Sequence, residues 1–275
     1  MNARQYVLAW LIALALAAAV SVGLVVLADR SSRAKQGDII VLGSSLMAYA
    51  VPFSGGGADS LLGDGRSHVR IATAGMTEPA LLARVEQAIA RQPAILFIEA
   101  NPLLVDFANQ TNQRPCDGWS HPARTSVAAQ QRRVLDAARQ LRGRPPSGVY
   151  QGDPDDIAAA HAIDRDEVRR RYPLTIRAMC DEARLAALVT EARQKGTRIV
   201  LVLPPRSPDA DALLGAAVTS DLRTRTEQLA ERLGVEVFAP EGPWRNDEFT
   251  DLAHVNVRGR AHFLKDLRAW WASAG

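Results

Sequence analysis

The sequence predicts an α/β protein with a parallel sheet of about five strands and one N-terminal transmembrane helix. Two observations predict this class. Short apolar runs typical of buried strands alternate with helix-like segments, and a long uncharged run stands near the N-terminus. With 275 residues, of which 47% are hydrophobic, the chain can form one sizeable core but is short for two full domains. We therefore expect one α/β domain behind a membrane anchor.

The uncharged run extends from Tyr6 to Ala28. As a helix, its roughly 23 residues would measure about 34 Å, enough to cross the ~30 Å hydrocarbon core of a bilayer. A secretory signal usually has a shorter apolar region of about 7–15 residues, although Val26-Leu27-Ala28 would serve as a cleavage site. We therefore favour an uncleaved anchor over residues 1–30. Positive charges flank the run on both sides and leave its orientation open.

The predicted strands follow a short polar linker over residues 31–37. Each is a run of mainly apolar residues, many of them β-branched, bounded by polar or turn-forming residues. Parallel strands joined through helices take right-handed crossovers, which gives a flavodoxin-like domain of three layers over residues 38–275. The strands are predicted over Asp38–Leu42, Val69–Thr73, Ala94–Glu99, Arg198–Leu203 and Val235–Phe238.

Three of the helices carry signals at their ends. Thr77 is the predicted N-cap of the helix after the second strand, with Glu78 and Pro79 in its first turn. The helix before the fourth strand is predicted to end at Gly196. Asn256 is the predicted cap of a terminal amphipathic helix.

A long stretch at about 102–181 separates the third and fourth predicted strands and exceeds what a single crossover requires. We interpret it as an insertion of two Arg-rich helical parts joined by the turn-rich run RPPSGVYQGDP. Such an insertion is typical of a lid or binding surface, and equally of a solvated helical cap, so its role stays open. It contains Cys116 and Cys180, the only cysteines, which we predict to be bonded in an oxidising compartment.

The charge pattern excludes few classes of function and gives no specific indication of a polyanionic partner. The formal net charge is +3, and arginine is interspersed with acidic residues almost throughout, which indicates solvated faces. No recognised nucleic-acid-binding module accompanies the arginine clusters, so nucleic acid is not expected as a partner. The five histidines show no metal-ligand spacing, and we expect neither a metal nor another cofactor.

Two distant segments hold candidate catalytic residues. The run LGSSL places Ser45 just after the first predicted strand, where Gly43 permits a tight turn. Open α/β sheets hold their ligands at the carboxyl ends of strands, so a serine hydroxyl there is a candidate nucleophile. Asp251 and His254 are three residues apart, a spacing at which the carboxylate can fix the imidazole tautomer. Each feature alone is also typical of a simple turn.

These segments, in this order, resemble the SGNH (GDSL-type) hydrolase superfamily from about residue 38 to the C-terminus, apart from the insertion. The first block of that family, Gly-Asp-Ser-Leu, is matched by Gly43–Leu46, with Ser45 at the nucleophile position and Ser44 at the aspartate position. The glycine of the second block is matched by Gly75 in ATAGMTE. The resemblance implies the three-layer fold predicted above.

The later blocks match less evenly. The third block, Gly-x-Asn-Asp, is represented by IEANPLL, which keeps Asn101 but has Glu99 and Pro102 in place of the glycine and the acid. The fifth block, Asp-x-x-His, is Asp251–His254.

The resemblance implies acyl transfer at a serine. Ser45 would attack an ester carbonyl, His254 would take and return the proton, and Asp251 would orient His254. The backbone N–H groups of Ser45 and Gly75 and the side chain of Asn101 would form the oxyanion hole.

The predicted anchor and the positions at which this chain departs from the family's sequence blocks make it most similar to the membrane-anchored branch of the superfamily. That branch includes alginate O-acetylation proteins and the teichoic-acid D-alanyl transfer protein. The resemblance implies a single-pass protein of the bacterial inner (cytoplasmic) membrane with its catalytic domain in the periplasm. It implies an envelope polysaccharide bearing O-acyl groups as substrate and a membrane-bound O-acyltransferase as partner. Arg206, in VLVLPPRSP, would bind substrate or be an exposed loop residue. The alternative is a catalytically idle scaffold that binds the polymer or the partner.

Overall fold

The computed structural model of the chain describes residues 38–107, 149–158 and 174–274. The predicted anchor, the linker, Cys116 and most of the predicted insertion lie outside these ranges. Within them, no helix has the length and apolar character needed to cross a membrane. Cys180 is disulfide-bonded, and its predicted pairing with Cys116 involves a residue outside the described part of the chain.

Most of the described strands form one sheet. The strands are β1 (Ile39–Gly43), β2 (Ser54–Gly57), β3 (Gly65–Ala72), β4 (Ile95–Glu99), β5 (Val105–Phe107), β6 (Leu174–Ile176), β7 (Arg198–Val202) and β8 (Glu236–Phe238). Six of them form a sheet in the order β2-β3-β1-β4-β7-β8. All neighbours in it are parallel except the edge strand β2, which is antiparallel to β3. β5 and β6 form a separate antiparallel pair. The predicted α/β class with a mostly parallel sheet is confirmed.

Helices cover both faces of this sheet. They are α1 (Ser45–Ala50), α2 (Glu78–Ile89), α3 (Asn101–Leu104), α4 (Glu182–Gln194), α5 (Pro208–Leu214), α6 (Ala216–Leu233) and α7 (Val257–Ala274), with a 3₁₀ turn at Asn246–Glu248. Side chains alternate between the faces of β1. Ile40 and Leu42 pack in a core with residues of α2, α4 and α6, whereas Ile39 and Val41 pack with residues of α1 and α7. The chain therefore forms three layers, with the sheet in the middle.

The predicted strands correspond to β1, β3, β4, β7 and β8, but other elements differ from the prediction. Edge strand β2 was missed because its sequence, SGGG, is mostly glycine, which weakens the strand signal. At the end of the predicted helical insertion, Leu174–Ile176 forms β6 instead, since Pro173 disfavours a helix across this point. Thr77 precedes α2 as predicted, but its side chain makes no capping hydrogen bond.

A buried arginine ties the 149–158 segment to the sheet. Arg70 of β3 is 1% exposed, and its guanidinium donates to two carbonyls near the end of α1 and to the carbonyl of Gly152. Burial lowers the pKa of Arg70 to about 10, although Asp153, 3.4 Å away, acts in the opposite direction. The arginine therefore stays charged at neutral pH. This part of the predicted insertion lies against the domain, close to α1.

Gly43, the last residue of β1, has no room for a side chain. A Cβ atom there would lie 2.4 Å from Met47 Cγ and 2.5 Å from Glu99 Oε2. Its φ is not in the left-handed region, so glycine is required here for space and not, as expected from the sequence, for backbone freedom. The missing Cβ lets α1 and the end of β4 approach the same turn.

We expect Gly43→Ala to lower the free energy of unfolding by about 1–3 kcal/mol, the usual cost of overpacking a filled site. Urea unfolding followed by circular dichroism measures this change. Gly56→Ala is the control, because a Cβ at Gly56 would have no neighbour closer than 3.3 Å. Equal losses of stability in the two variants would contradict the prediction.

Candidate active site

Ser45 is the first residue of α1 and follows β1 after a single residue. That residue, Ser44, is the N-cap of α1, and its Oγ accepts a hydrogen bond from the N–H of Leu46 at 3.2 Å. The N–H of Ser45 belongs to the first turn, whose N–H groups have no acceptor within the helix. The hydroxyl and the N–H of Ser45 therefore both lie at the carboxyl end of a central strand.

The loop before α7 brings His254 to Ser45, 209 residues away in the sequence. His254 Nε2 lies 2.8 Å from Ser45 Oγ, and His254 Nδ1 lies 2.7 Å from Asp251 Oδ2. The other carboxylate oxygen, Asp251 Oδ1, accepts from the N–H groups of Ala253 and His254 at 2.8 and 2.7 Å. One oxygen thus closes the turn while the other faces the imidazole. The structure brings together the three residues that the sequence proposed.

The carboxylate of Asp251 fixes which nitrogen of the His254 imidazole faces Ser45 as an acceptor. Burial disfavours the charged form of Asp251, but hydrogen bonds from His254 and Ala253 and the charge of His254 outweigh it, so the pKa of Asp251 is below its ordinary value. An ionised carboxylate accepts from Nδ1–H, and this places the imidazole lone pair on Nε2. His254 can then accept the proton of the Ser45 hydroxyl.

Backbone hydrogen bonds and a helix cap hold this loop. The N–H of Thr250 donates to the carbonyl of His254 at 2.8 Å. Asn256 Oδ1 accepts from two N–H groups in the first turn of α7, at 2.9 and 3.1 Å, which confirms its predicted role as a cap. Asn256 Nδ2 donates to the carbonyl of Asp247 at 2.8 Å. His254 is therefore positioned by a closed loop and a capped helix.

Tyr49 lies against His254, a contact that the sequence analysis missed. The two ring centroids are 4.6 Å apart, with the planes inclined by 44°. The Tyr49 hydroxyl donates to Asp156 in the 149–158 segment. Burial and the neighbouring Asp156 raise the pKa of Tyr49, so it remains a donor. The only sequence signal was the spacing of four residues from Ser45, which puts both side chains on one face of α1.

Two more predicted residues follow the strands on either side of β1. Gly75 follows β3 in an exposed turn with a φ of 62°. Asn101 is the first residue of α3, after β4, and is 2% exposed. Since β3 and β4 both pair in parallel with β1, their carboxyl ends lie at the same edge of the sheet as Ser45. Asn101 Nδ2 is buried and makes no hydrogen bond of good geometry to the described residues, although the Asn101 side chain interacts with the Glu99 carboxyl group and favours its ionised form.

Arg206 contacts the site through Asn101. It follows β7, and its Nη2 donates to Asn101 Oδ1 at 3.3 Å. Because the carboxamide oxygen faces the arginine, the opposite end of the group, Nδ2, is directed away from it. The contact orients Asn101, whereas substrate binding by Arg206 stays a prediction.

Glu99 is a fully buried acid at the same turn. Ser44 N–H donates to Glu99 Oε2 at 2.6 Å, and Ser44 Oγ donates to Oε1 at 2.9 Å. Burial raises the pKa of Glu99, while Ser44, the nearby Asn101 and the charge of His254 favour its ionised form. The sequence marked Glu99 only as a departure from the family pattern, because the partners are 55 residues apart and no local signal links them.

No family model matches the chain, and no curated protein matches its sequence. Among solved structures, it aligns with a candidate acylhydrolase from Bacteroides fragilis at 12% identity and a TM-score of 0.41, over 88% of this chain and 92% of the other. It also aligns with a catalytic mutant of an acetylxylan esterase from Geobacillus stearothermophilus, at 16% identity and a TM-score of 0.33, over 72% and 74% of the two chains. Similarity at this level carries no conclusion about activity.

Proposed function

We propose that the protein is a serine-dependent esterase or O-acyltransferase that acts on O-acyl groups of a cell-envelope polysaccharide. The observation that carries the proposal is the row of hydrogen bonds from Ser45 Oγ to His254, at 2.8 Å, and from His254 to Asp251, at 2.7 Å. A serine hydroxyl is a weak nucleophile until a neighbouring base removes its proton. An imidazole held by a carboxylate is such a base.

In the first half of the proposed reaction, Ser45 Oγ attacks the ester carbonyl carbon while its proton moves to His254 Nε2. The carbonyl oxygen becomes an oxyanion, which accepts hydrogen bonds from the N–H groups of Ser45 and Gly75 and from Asn101 Nδ2. His254 then returns the proton to the leaving sugar oxygen as the ester C–O bond breaks. The acyl group is left on Ser45 as a covalent ester.

In the second half, His254 takes a proton from the acceptor, whose oxygen attacks the acyl carbon. Water as acceptor makes the protein an esterase, and a sugar hydroxyl makes it a transferase. The bond between the acyl group and Ser45 Oγ breaks, and His254 gives the serine its proton back. Both outcomes use the same three side chains, and exclusion of water from the site decides between them.

The position of the buried Asn101 amide, at the carboxyl end of β4 beside β1, supports its place in the oxyanion hole. The bond from Arg206 to Asn101 Oδ1 keeps that end of the amide occupied. One such donor typically contributes about 10²–10³ in rate.

The proposal includes a single-pass location in the bacterial inner membrane, a periplasmic catalytic domain, and a membrane-bound O-acyltransferase as partner. It rests here on the uncharged run from Tyr6 to Ala28 and on the resemblance to anchored relatives. A reporter that is active only outside the cytoplasm, fused after Gly275, tests the location. Activity from a cytosolic reporter at the same position would contradict it.

A fluorophosphonate probe, which modifies activated serines, tests the chemistry. We expect the folded wild-type protein to be labelled and the Ser45→Ala variant to stay unlabelled. Ser44→Ala is the matched control and should keep the label, since Ser44 Oγ contacts Glu99 and not His254. Mass spectrometry of the peptide containing LGSSL identifies the modified serine. A folded wild-type protein that takes no label would contradict the proposal and favour the idle scaffold.

A further inference from the structure

We propose that Glu99 is a positioning residue of this site, whose buried carboxyl group holds the Ser44–Ser45 turn so that the Ser45 hydroxyl faces His254. The inference rests on the proposed function, because it assigns a role in delivering the proposed nucleophile. Glu99 stands at a position where the resembled family has glycine, and Ser44 stands where that family has an acid.

The sheet brings Glu99 to this turn. Glu99 is the last residue of β4, and β4 pairs in parallel with β1, with Leu42 opposite Ile98. Both strands therefore end at the same level, and the carboxyl group of Glu99 lies beside the residue that follows β1. The residue is 0% exposed, so its carboxyl group must find its partners inside the protein.

Both carboxyl oxygens have a partner in Ser44. Oε2 accepts from the Ser44 N–H at 2.6 Å, and Oε1 accepts from the Ser44 hydroxyl at 2.9 Å. The same hydroxyl oxygen accepts from the N–H of Leu46 at 3.2 Å. Glu99, Ser44 and the first turn of α1 thus form one chain of hydrogen bonds. Ser45 lies between the two residues that this chain fixes, so its own backbone has little freedom.

The Glu99 carboxyl group is tightly packed against the turn that follows β1. A Cβ on Gly43 would lie 2.5 Å from Glu99 Oε2, so the carboxyl group lies directly against the backbone of the turn. A shift of the Glu99 side chain would therefore release the turn.

The hydrogen bonds favour an ionised Glu99. Ser44 Oγ accepts from the N–H of Leu46 and has one proton to donate. That hydroxyl proton and the N–H of Ser44 each need an acceptor. The two carboxyl oxygens of Glu99 supply both, and these bonds favour its ionised form against the burial that raises its pKa. Glu99 has no hydrogen bond to Ser45 or His254 among the described contacts. Its two hydrogen bonds of good geometry go to Ser44, and its side chain also interacts with Asn101, so we assign it a positioning and not a catalytic role.

The test compares Glu99→Gln with wild type in kcat and KM for a model ester and in the rate of fluorophosphonate labelling. Glutamine keeps the volume but replaces one acceptor by a donor. We expect kcat to fall by roughly 10-fold to 100-fold, because a misplacement of about 1 Å can cost 10² in rate. KM should stay within about 2-fold, since the turn delivers the nucleophile and does not bind substrate.

A double-mutant cycle with Ser44 shows whether Glu99 acts through that residue. Ser44→Ala removes the hydroxyl but keeps the backbone N–H, so we expect a loss of only a few-fold, about 2-fold to 5-fold. If Glu99 acts through Ser44, the double variant should have the same kcat as Glu99→Gln alone, because the loss caused by Ser44→Ala is then already contained in that of Glu99→Gln. Fully multiplicative losses would overturn the proposal.

Glu78→Gln is the matched control for loss of a buried carboxylate. Glu78 is 1% exposed and likewise accepts from backbone N–H groups, those of Cys180 and Asp181. We expect it to lose thermal stability while keeping kcat. A kcat for Glu99→Gln equal to that of wild type or of Glu78→Gln would overturn the positioning role.

Two further outcomes separate the possible failures. Should Glu99→Gln not fold, Glu99→Asp repeats the comparison with a charged but shorter side chain, and a wild-type kcat in that variant would overturn the inference. Wild-type protein that is folded but neither labelled nor active would overturn the proposed function, and the role of Glu99 with it. Labelled wild type with unaffected Glu99 variants would overturn the inference alone.

Discussion

Ser45→Ala and His254→Ala should each lower kcat for a model ester by on the order of 10⁶, and the double variant should be little worse than either single variant. The reason is that the two residues act in one step. Without the hydroxyl there is no nucleophile, and without Nε2, 2.8 Å away, the hydroxyl keeps its proton. Steady-state kinetics of the four proteins, corrected for the uncatalysed reaction, measures the losses.

The controls for this prediction come from neighbouring residues of the same type. His262 also pairs with an acid, since its Nδ1 lies 2.9 Å from Glu248 Oε1. His262→Ala should therefore change stability but not kcat. Ser44→Ala should lose only about 2-fold to 5-fold in kcat because its backbone N–H, which bonds Glu99, is retained. If Ser44→Ala abolishes activity and Ser45→Ala spares it, the assignment of the nucleophile is wrong.

The central strands could be predicted because burial on both faces leaves a simple pattern. β1, β4 and β7 each contain a run of apolar residues, IIVL, ILFI and IVLV, as expected for parallel strands covered by helices on both sides. β3 was predicted to begin at Val69 but begins at Gly65, because its first half includes Arg66 and His68. In a sequence, polar residues of this kind predict a loop and not a strand. In the structure, Arg70 is buried because carbonyl groups surround its guanidinium.

The residues that do the proposed chemistry could be found from the sequence because each follows a recognisable local pattern. Ser45 ends a strand-to-helix turn, and Asp251 and His254 share one loop. The residues that hold them in place could not be found in this way. Tyr49 and Asp156 are 107 residues apart, and Ser44 and Glu99 are 55 apart. Such contacts depend on which strands become neighbours and on how a long insertion returns to the sheet.

Asp251→Asn should lower kcat by about 10⁴-fold, the loss typical when the carboxylate behind a catalytic histidine becomes an amide. The asparagine oxygen can still accept from the N–H groups of Ala253 and His254, so the turn should survive. Its amide nitrogen then faces His254 Nδ1 as a donor. The imidazole must turn its Nδ1 lone pair to the amide and carry its proton on Nε2, where it can no longer accept the proton of Ser45.

The pH dependence of stability gives this variant a second readout. The pKa of Asp251 is lowered in the folded protein, so its charge stabilises the fold above the unfolded value of about 3.9, and this contribution is lost as the pH falls through the folded value. The difference in Tm between wild type and Asp251→Asn should therefore be largest near neutral pH and should shrink below about pH 4. Asp266→Asn is the control for kcat, since Asp266 also faces a histidine, His262, at 3.5 Å, but outside the site. An Asp251→Asn variant with kcat within tenfold of wild type, roughly 1.4 kcal/mol in barrier height, would mean that Asp251 does not orient His254, whatever the distance between them.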